Sequence, residues 1–273
     1  MMLFGVSFGA LFRVVLSASI LRLPDHAGVR IGGYIPPVLW RTFAHDHLDP
    51  LVYRAAASGD AFGEVTTVLI EDSDPNIEVM LSKCGATYAF QMLIPGAYRA
   101  DLIRYCVLWL YGGWYLDIAG RIAKPFTQRF AGAALVVTHD PDSTGWWNGF
   151  IGAEPRHPAL QRAIRRITMN VRTCYYGDRD LAPTGPMLWH AVAAPYNPVV
   201  LNSHLHVDED DTIDIDNHTI RNKFVGYKDA YRRMGYNKDG SDSYSQLWLN
   251  RRVYRNCDHP NAIPDEDNNS RQP

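Results

Sequence analysis

Residues 97–126 read AYRADLIRYCVLWLYGGWYLDIAGRIAKPF, and this stretch sets the architecture. From Ala97 to Tyr111 the residues are apolar almost all round, which predicts a helix buried on every side. Gly112-Gly113 ends it, because glycine accepts the left-handed backbone that closes a helix. Period-two alternation then predicts a strand over Trp114 to Ile118. Trp114, Leu116 and Ile118 would face one way, and Tyr115, Asp117 and Ala119 the other. Asp101 and Arg104 are spaced i, i+3 and share one face of the helix. Buried charges need partners, and the plain reading is that the two pair with each other or with neighbouring loops. Arg104 lies near the positive end of the helix dipole, so helix stability alone does not account for it; a bound anion such as a diphosphate would. Tyr115 and Asp117 emerge together at a strand end, where open α/β sheets place their ligands.

Working outward, Ile35 to Phe43 reads as a first strand entered through two prolines, and Val65 to Ile70 as a second. Asp74 is positioned to cap a helix beginning at Pro75. Ala134 to Thr138 is another strand. Pro158 to about Thr173 is a helix with Ile164, Ile167 and Val171 inward and Arg162, Arg165, Arg166 and Arg172 solvated. Alternating strands and helices predict an α/β fold with a central, mostly parallel sheet flanked by helices. The chain has 273 residues, enough for one large domain or two small ones. Its net charge is −2, so there is no basic excess to coat a nucleic acid. Cys84, Cys106, Cys174 and Cys257 are scattered without CxxC pairs, and neither a zinc module nor a disulfide-stapled fold is expected. Residues 2–23 are mostly apolar but carry Arg13. Residues 1–30 are therefore read either as a membrane anchor or as a packed helix, leaving a secretory or Golgi membrane and the cytoplasm both open. The folded domain is expected over residues 31–256, and residues 257–273 are expected to form a disordered polar tail.

The central stretch resembles the DXD-containing glycosyltransferases of the initiating α-1,6-mannosyltransferase and capsular-polysaccharide transferase type. The residues that carry the resemblance are Asp101-Leu102-Ile103-Arg104-Tyr105, Tyr111-Gly112-Gly113, Tyr115-Leu116-Asp117-Ile118-Ala119 and Lys124-Pro125. Looser matches follow the same order along the chain. They are Ile35 to Thr42, Asn148 to Ala153 with His157-Pro158, Thr184-Gly185-Pro186, and Tyr244 to Trp248.

The resemblance implies a GT-A-like nucleotide-sugar-binding fold that moves a hexose, with retention, from a UDP- or GDP-sugar to a glycan or glycolipid hydroxyl. It implies Asp101, Arg104 and Asp117 as the catalytic set, with Arg104 on the sugar and phosphates. Trp40 and Thr42 would lie near the nucleotide base and Tyr115 on the phosphate side. Asn148, Thr184 and Gly185 would line the sugar or acceptor pocket, with Trp248 closing over the diphosphate. One departure stands out. The second aspartate of the family's DXD is Ala119 here, so a Mn²⁺ or Mg²⁺ ion loses a ligand. Asp117 helped by Asp242 could hold the metal, or Arg104 or Arg121 could neutralise the phosphates without one. A catalytically silent sugar-nucleotide- or glycan-binding protein is the alternative reading. Asp214-Ile215-Asp216 is a second D-x-D, read as part of a solvated loop leading into an edge strand, and His204 and His206 as ordinary strand residues.

Overall fold

The computed structural model describes residues 32–43, 48–71, 74–94, 96–140, 145–206, 212–222, 226–234, 244–255 and 257. The expected N-terminal segment at 1–30, Asp242, and residues 258–273 of the expected tail lie outside the described residues.

Six strands form the main sheet: β1 (Val38–Phe43), β2 (Thr66–Glu71), β3 (Gly113–Leu116), β5 (Leu135–His139), β6 (Trp146–Ala153) and β7 (Val199–Leu201). Their order is β2-β1-β3-β6-β5-β7. β6 alone runs antiparallel to its neighbours β3 and β5, and the other pairs are parallel. The fold is therefore α/β with a mostly parallel central sheet. Helices α1 (Pro50–Ala57), α2 (Pro75–Cys84), α3 (Thr87–Met92), α4 (Ala97–Tyr111), α5 (Pro158–Arg172) and α6 (Pro186–Ala193) intersperse the strands. Short helices α7 (Tyr227–Arg233) and α8 (Tyr244–Leu249) follow. Asp74 caps α2 as its spacing predicts, its carboxylate accepting from Asn76 N at 2.8 Å.

The α4–β3 junction is where the sequence reading is sharpest. α4 is buried along nearly its whole length, and eleven of its side chains are sequestered from solvent. Gly112 (φ 65°) and Gly113 (φ 98°) make the turn into β3. A Cβ on Gly113 would lie 2.7 Å from the Val38 carbonyl, so only glycine lets β3 close on β1. Strand pairing brings Trp40 opposite Tyr115.

The strand is shorter than the alternation suggests. β3 stops at Leu116, and Asp117 to Gly120 form a tight turn closed by Gly120 N donating to Asp117 O at 2.7 Å. Ile118 consequently joins Tyr115 in the helix-side core instead of Trp114 and Leu116, and Ala119 sits in the turn rather than on a shared strand face. Its side chain is buried, at 5% exposure.

A second, four-stranded antiparallel sheet covers the opposite face of the main sheet. It consists of β4 (Arg121–Ile122), β8 (Ser203–His206), β9 (Thr212–Ile215) and β10 (Ile220–Asn222), in the order β4-β10-β9-β8. Ile122, Ile213, Ile215 and Ile220 pack inward with Trp114, Phe126, Phe130 and Phe150. Here the loop reading of Asp214-Ile215-Asp216 is corrected. Asp214 lies in β9, nearly buried, where Arg221 donates to it at 2.7 and 3.1 Å and His206 and His218 each approach at 2.7 Å. Burial alone would raise its carboxyl, but the bonds from Arg221 and His218 outweigh that and hold it below the ordinary carboxylate range. Asp216 is paired with Arg129 at 2.5 and 2.7 Å. Ion pairing explains this D-x-D without a ligand.

The cysteine reading is also corrected. Cys174, just past α5, is joined to Cys257 by a disulfide across a sequence separation of 83, so the first residue of the expected tail is covalently tied to the domain. No spacing rule could announce it, because the partners meet only once α5 and the C-terminal segment have packed. Disulfides typically contribute about 2–4 kcal/mol, mainly by constraining the unfolded chain. Cys257→Ser is accordingly expected to cost that much in denaturant unfolding, and adding reductant should lower the wild-type midpoint but not the variant's. Among the described residues, no helix is long and apolar enough to cross a membrane.

Candidate active site

The C-terminal end of β3 meets α4, β6 and the 184–185 loop in one hydrogen-bonded cluster. Arg104 stands at its centre with its side chain 5% exposed. Its Nη2 lies 3.1 Å from Asp101 Oδ1 and 3.3 Å from Asp117 Oδ1, and its Nη1 donates to Asn148 O at 2.7 Å. The guanidinium also lies over the Tyr115 ring, 4.6 Å from the centroid. The sequence left this arginine either paired with Asp101 or holding a bound anion. In the structure two carboxylates and a carbonyl already hold it.

Asp101 is wholly buried. Asn148 Nδ2 donates to its Oδ1 at 2.9 Å and to Tyr105 OH at 3.0 Å. Thr184 Oγ1 donates to Asp101 Oδ2 at 2.5 Å, and Tyr105 OH donates back to Thr184 O at 3.3 Å. Asp101, Asn148, Tyr105 and Thr184 thus form a closed ring that ties α4 to β6 and to the start of α6. Gly185 adjoins it, since a Cβ there would sit 3.6 Å from Asp101 Oδ2. A second chain runs through Thr42 and Tyr115. The two hydroxyls are 2.8 Å apart, and Tyr115 OH donates to Asp117 Oδ1 at 3.1 Å. Burial pushes the Tyr115 phenol above its ordinary value, so it stays a neutral donor at physiological pH.

Asp117 is the outlet of this network. Its side chain keeps 32% exposure, against none for Asp101. Partial burial pushes its carboxyl above the ordinary value of 3.8, against the pull of Arg104. Oδ1 is occupied by Tyr115 and Arg104, whereas Oδ2 faces Gly149 and Trp147. A Cβ on Gly149 would lie 2.1 Å from the Trp147 ring and 2.4 Å from Asp117 Oδ2. Gly149→Ala must therefore displace the ring or the carboxylate. Its expected outcome is a stability loss of about 1–3 kcal/mol together with at least a tenfold weaker affinity for the site's ligand, read by unfolding and by titration.

Seven sequence-predicted residues meet in this cluster with Asp101: Thr42, Arg104, Tyr115, Asp117, Asn148, Thr184 and Gly185. Trp40 does not join them. It is fully buried, its Nε1 donates to Gly112 O at 2.7 Å, and its ring lies 5.8 Å from that of Tyr111. It is part of the core that fixes the α4–β3 junction, not a surface for a base. Trp248, on α8, donates through Nε1 to Tyr176 O at 2.8 Å, and its ring lies 5.6 Å from the Arg251 guanidinium. Trp146 is buried against His190, and of the tryptophan pair only Trp147 borders the cluster.

Sequence reading missed Arg41 and Tyr105. Arg41 is completely buried, and its Nη1 donates to Asp117 O at 3.0 Å and Gly120 O at 2.8 Å while Nη2 reaches Ala55 O at 3.3 Å. Burial pulls its guanidinium down to about 10. It clamps the Asp117–Gly120 turn from below. An arginine inside an otherwise buried strand was the available signal.

Residues 53–134 match the glycosyltransferase sugar-binding region containing the DXD motif. Asp101, Arg104, Tyr105, Tyr115 and Asp117 all fall inside the matched residues, and Asn148 and Thr184 complete the cluster from outside them. Two relatives come from Schizosaccharomyces pombe. Inositol phosphoceramide mannosyltransferase 1 is 27% identical over 96 residues, which is 33% of this chain and 30% of that protein. Inositol phosphoceramide mannosyltransferase 2 is 29% identical over 115 residues, 40% of this chain and 33% of that protein. The similarity to these relatives thus spans about a third of their length. Among solved structures, the PaToxG glycosyltransferase superposes with a TM-score of 0.44 at 13% identity, covering 69% of this chain and 76% of that one.

The DXD family implies a divalent cation, and the described residues do not fit one by themselves. Among them no group of three or more His, Cys, Asp or Glu side chains is arranged to hold a metal. At the cluster, Asp117 Oδ2 is the outward carboxylate oxygen and Ala119 adds none, while a hard cation such as Mg²⁺ or Mn²⁺ takes about six oxygens.

Proposed function

We propose that this chain is a glycosyltransferase that moves a hexose from a nucleotide-diphosphate sugar, UDP- or GDP-linked, to a glycan or glycolipid hydroxyl. The observation that carries the reading is the Asp101–Arg104–Asp117 cluster at the end of β3, inside the matched sugar-binding region. Asp117 makes the direct contact, its Oδ2 accepting a hydroxyl of the donor sugar or ribose beside Trp147. Arg104, Asp101, Asn148 and Thr184 act as positioning residues, because their polar atoms bind one another and fix where Asp117 points. Thr42 and Tyr115 hold the carboxylate from the other side. Such a network is organised before the substrate arrives, which is where electrostatic catalysis draws its strength.

The reaction must stabilise a departing diphosphate. A divalent cation supplies that charge in DXD enzymes, yet no step is assigned to one here, because the described residues offer it a single carboxylate oxygen. Arg104 is committed to carboxylates, which leaves Arg121, exposed one residue beyond the turn, as the cation to examine in metal-free turnover. Transfer with retention, the leaving phosphate taking the acceptor proton, accords with a cluster in which the buried Asp101 carboxylate is engaged on both oxygens and does not serve as a base.

Ala119 favours one alternative, a catalytically silent sugar-nucleotide- or glycan-binding protein. Titrating UDP- and GDP-sugars calorimetrically, with and without Mn²⁺, while following release of nucleoside diphosphate, separates the two. Binding with release supports transfer. Binding without release at any metal level supports the silent protein, and no binding overturns both.

A further inference from the structure

The outer face of α5 carries a charge pattern that neither the fold nor the proposed reaction uses. Arg162, Arg165, Arg166 and Arg172 are all exposed and fall, at helical spacing, within one arc opposite the buried Ile164, Ile167 and Val171. The helix has no acidic residue, and none of the four arginines has a carboxylate partner among the described residues. Arg162 faces Arg165 at i+3 and Arg166 at i+4, and like charges at these spacings destabilise a helix. The chain as a whole is not basic, at net −2, so this concentration is local.

Two further observations narrow what the stripe fits. Met169 sits inside it and is 46% exposed, although most large apolar side chains among the described residues are buried. Arg166 lies over the ring of the half-buried Tyr175, 6.0 Å from its centroid, at the C-terminal end of the helix. The stripe is the convex side of a helix and offers neither the groove nor the sheet edge that most modes of peptide recognition use. A convex row of arginines with an apolar residue among them suits a flat anionic surface, with the heads on phosphates and the methionine and arginine stems in the interface.

We propose that the α5 face docks on anionic phospholipid bilayers, independently of residues 2–23 and whether or not the chain transfers a sugar. Each basic residue beside an anionic leaflet raises partitioning by roughly fivefold. The test is co-sedimentation of the full chain with phosphatidylcholine vesicles and with mixed phosphatidylcholine–phosphatidylserine vesicles. Binding to the neutral vesicles reports any contribution of the N-terminal apolar segment, and the difference between the two reports the stripe.

The wild type is expected to prefer the phosphatidylserine vesicles, with a preference that falls as salt rises. Replacing all four arginines by glutamine should reduce that preference about 100-fold or more, and replacing all four by lysine should keep it. The lysine variant carries the same number of changes, so it separates loss of charge from loss of fold, and melting temperature is read on both. A wild type indifferent to phosphatidylserine, a glutamine variant that retains the preference, or binding to heparin but not to vesicles would each overturn the proposal.

Discussion

Replacing Arg104 by methionine is expected to destabilise the fold by about 3–5 kcal/mol, because it strands two carboxylates that the arginine now holds. Asp101 has no access to water, and it would lose its ion-pair partner while the hydrogen bonds from Asn148 and Thr184 remain. Guanidinium unfolding of variant and wild type measures the difference. A second change, Asp101→Asn, should recover part of the loss by removing the buried charge while keeping the ring of hydrogen bonds. Arg104→Lys should recover little, since an ammonium cannot reach Asp101, Asp117 and the Asn148 carbonyl with one planar fork. A deficit below about 1 kcal/mol would mean that the arginine is not the counter-charge the geometry describes.

Asp117→Asn should behave in the opposite way, removing turnover while leaving the fold nearly intact. Burial already disfavours its ionised form, so a neutral amide of the same shape fits the site. The sign of the pH effect follows from that raised value. A carboxyl whose folded value lies above its unfolded one contributes stability that is complete below the ordinary value of 3.8 and fades as pH climbs through the folded value. The wild type should show this decline on leaving acid pH, and Asp117→Asn should lack it. Donor affinity runs the other way, rising over the same window as the acceptor oxygen becomes ionised.

Much of the fold was legible because its signals are local. α4 and its glycine stop, the cap on α2 and the period of α5 each follow from residues within one helical turn of one another. The strand after Gly113 was read two residues too long, because the alternation continues through Asp117 while the backbone turns where Arg41, 76 positions away in β1, bonds the Asp117 carbonyl. That distant clamp is why Ala119 leaves the face it was expected to share with Asp117. The covering sheet and the Cys174–Cys257 bridge were not legible for the same reason, since both depend on segments that meet only in the folded chain. Eight of the residues read as a site meet in one cluster, whereas Trp40 and Trp248 are bonded elsewhere. Sequence leaves Arg104 either paired with Asp101 or holding a bound anion; the packing shows the Asp101 pair and adds Asp117 as a second carboxylate. Trp40 reads as an aromatic beside a ligand until its indole is seen bonded to Gly112 inside the core.

The central claim is that the carboxylate at the end of β3 engages a nucleotide-diphosphate sugar. Its most direct test is release of nucleoside diphosphate from a panel of UDP- and GDP-sugars, with a glycolipid or glycan acceptor present, by the wild-type chain and by Asp117→Asn in parallel. Turnover of at least one donor is expected from the wild type, with a loss of about 100-fold or more in the variant, at an unchanged melting temperature. Equal turnover by the two proteins would contradict it.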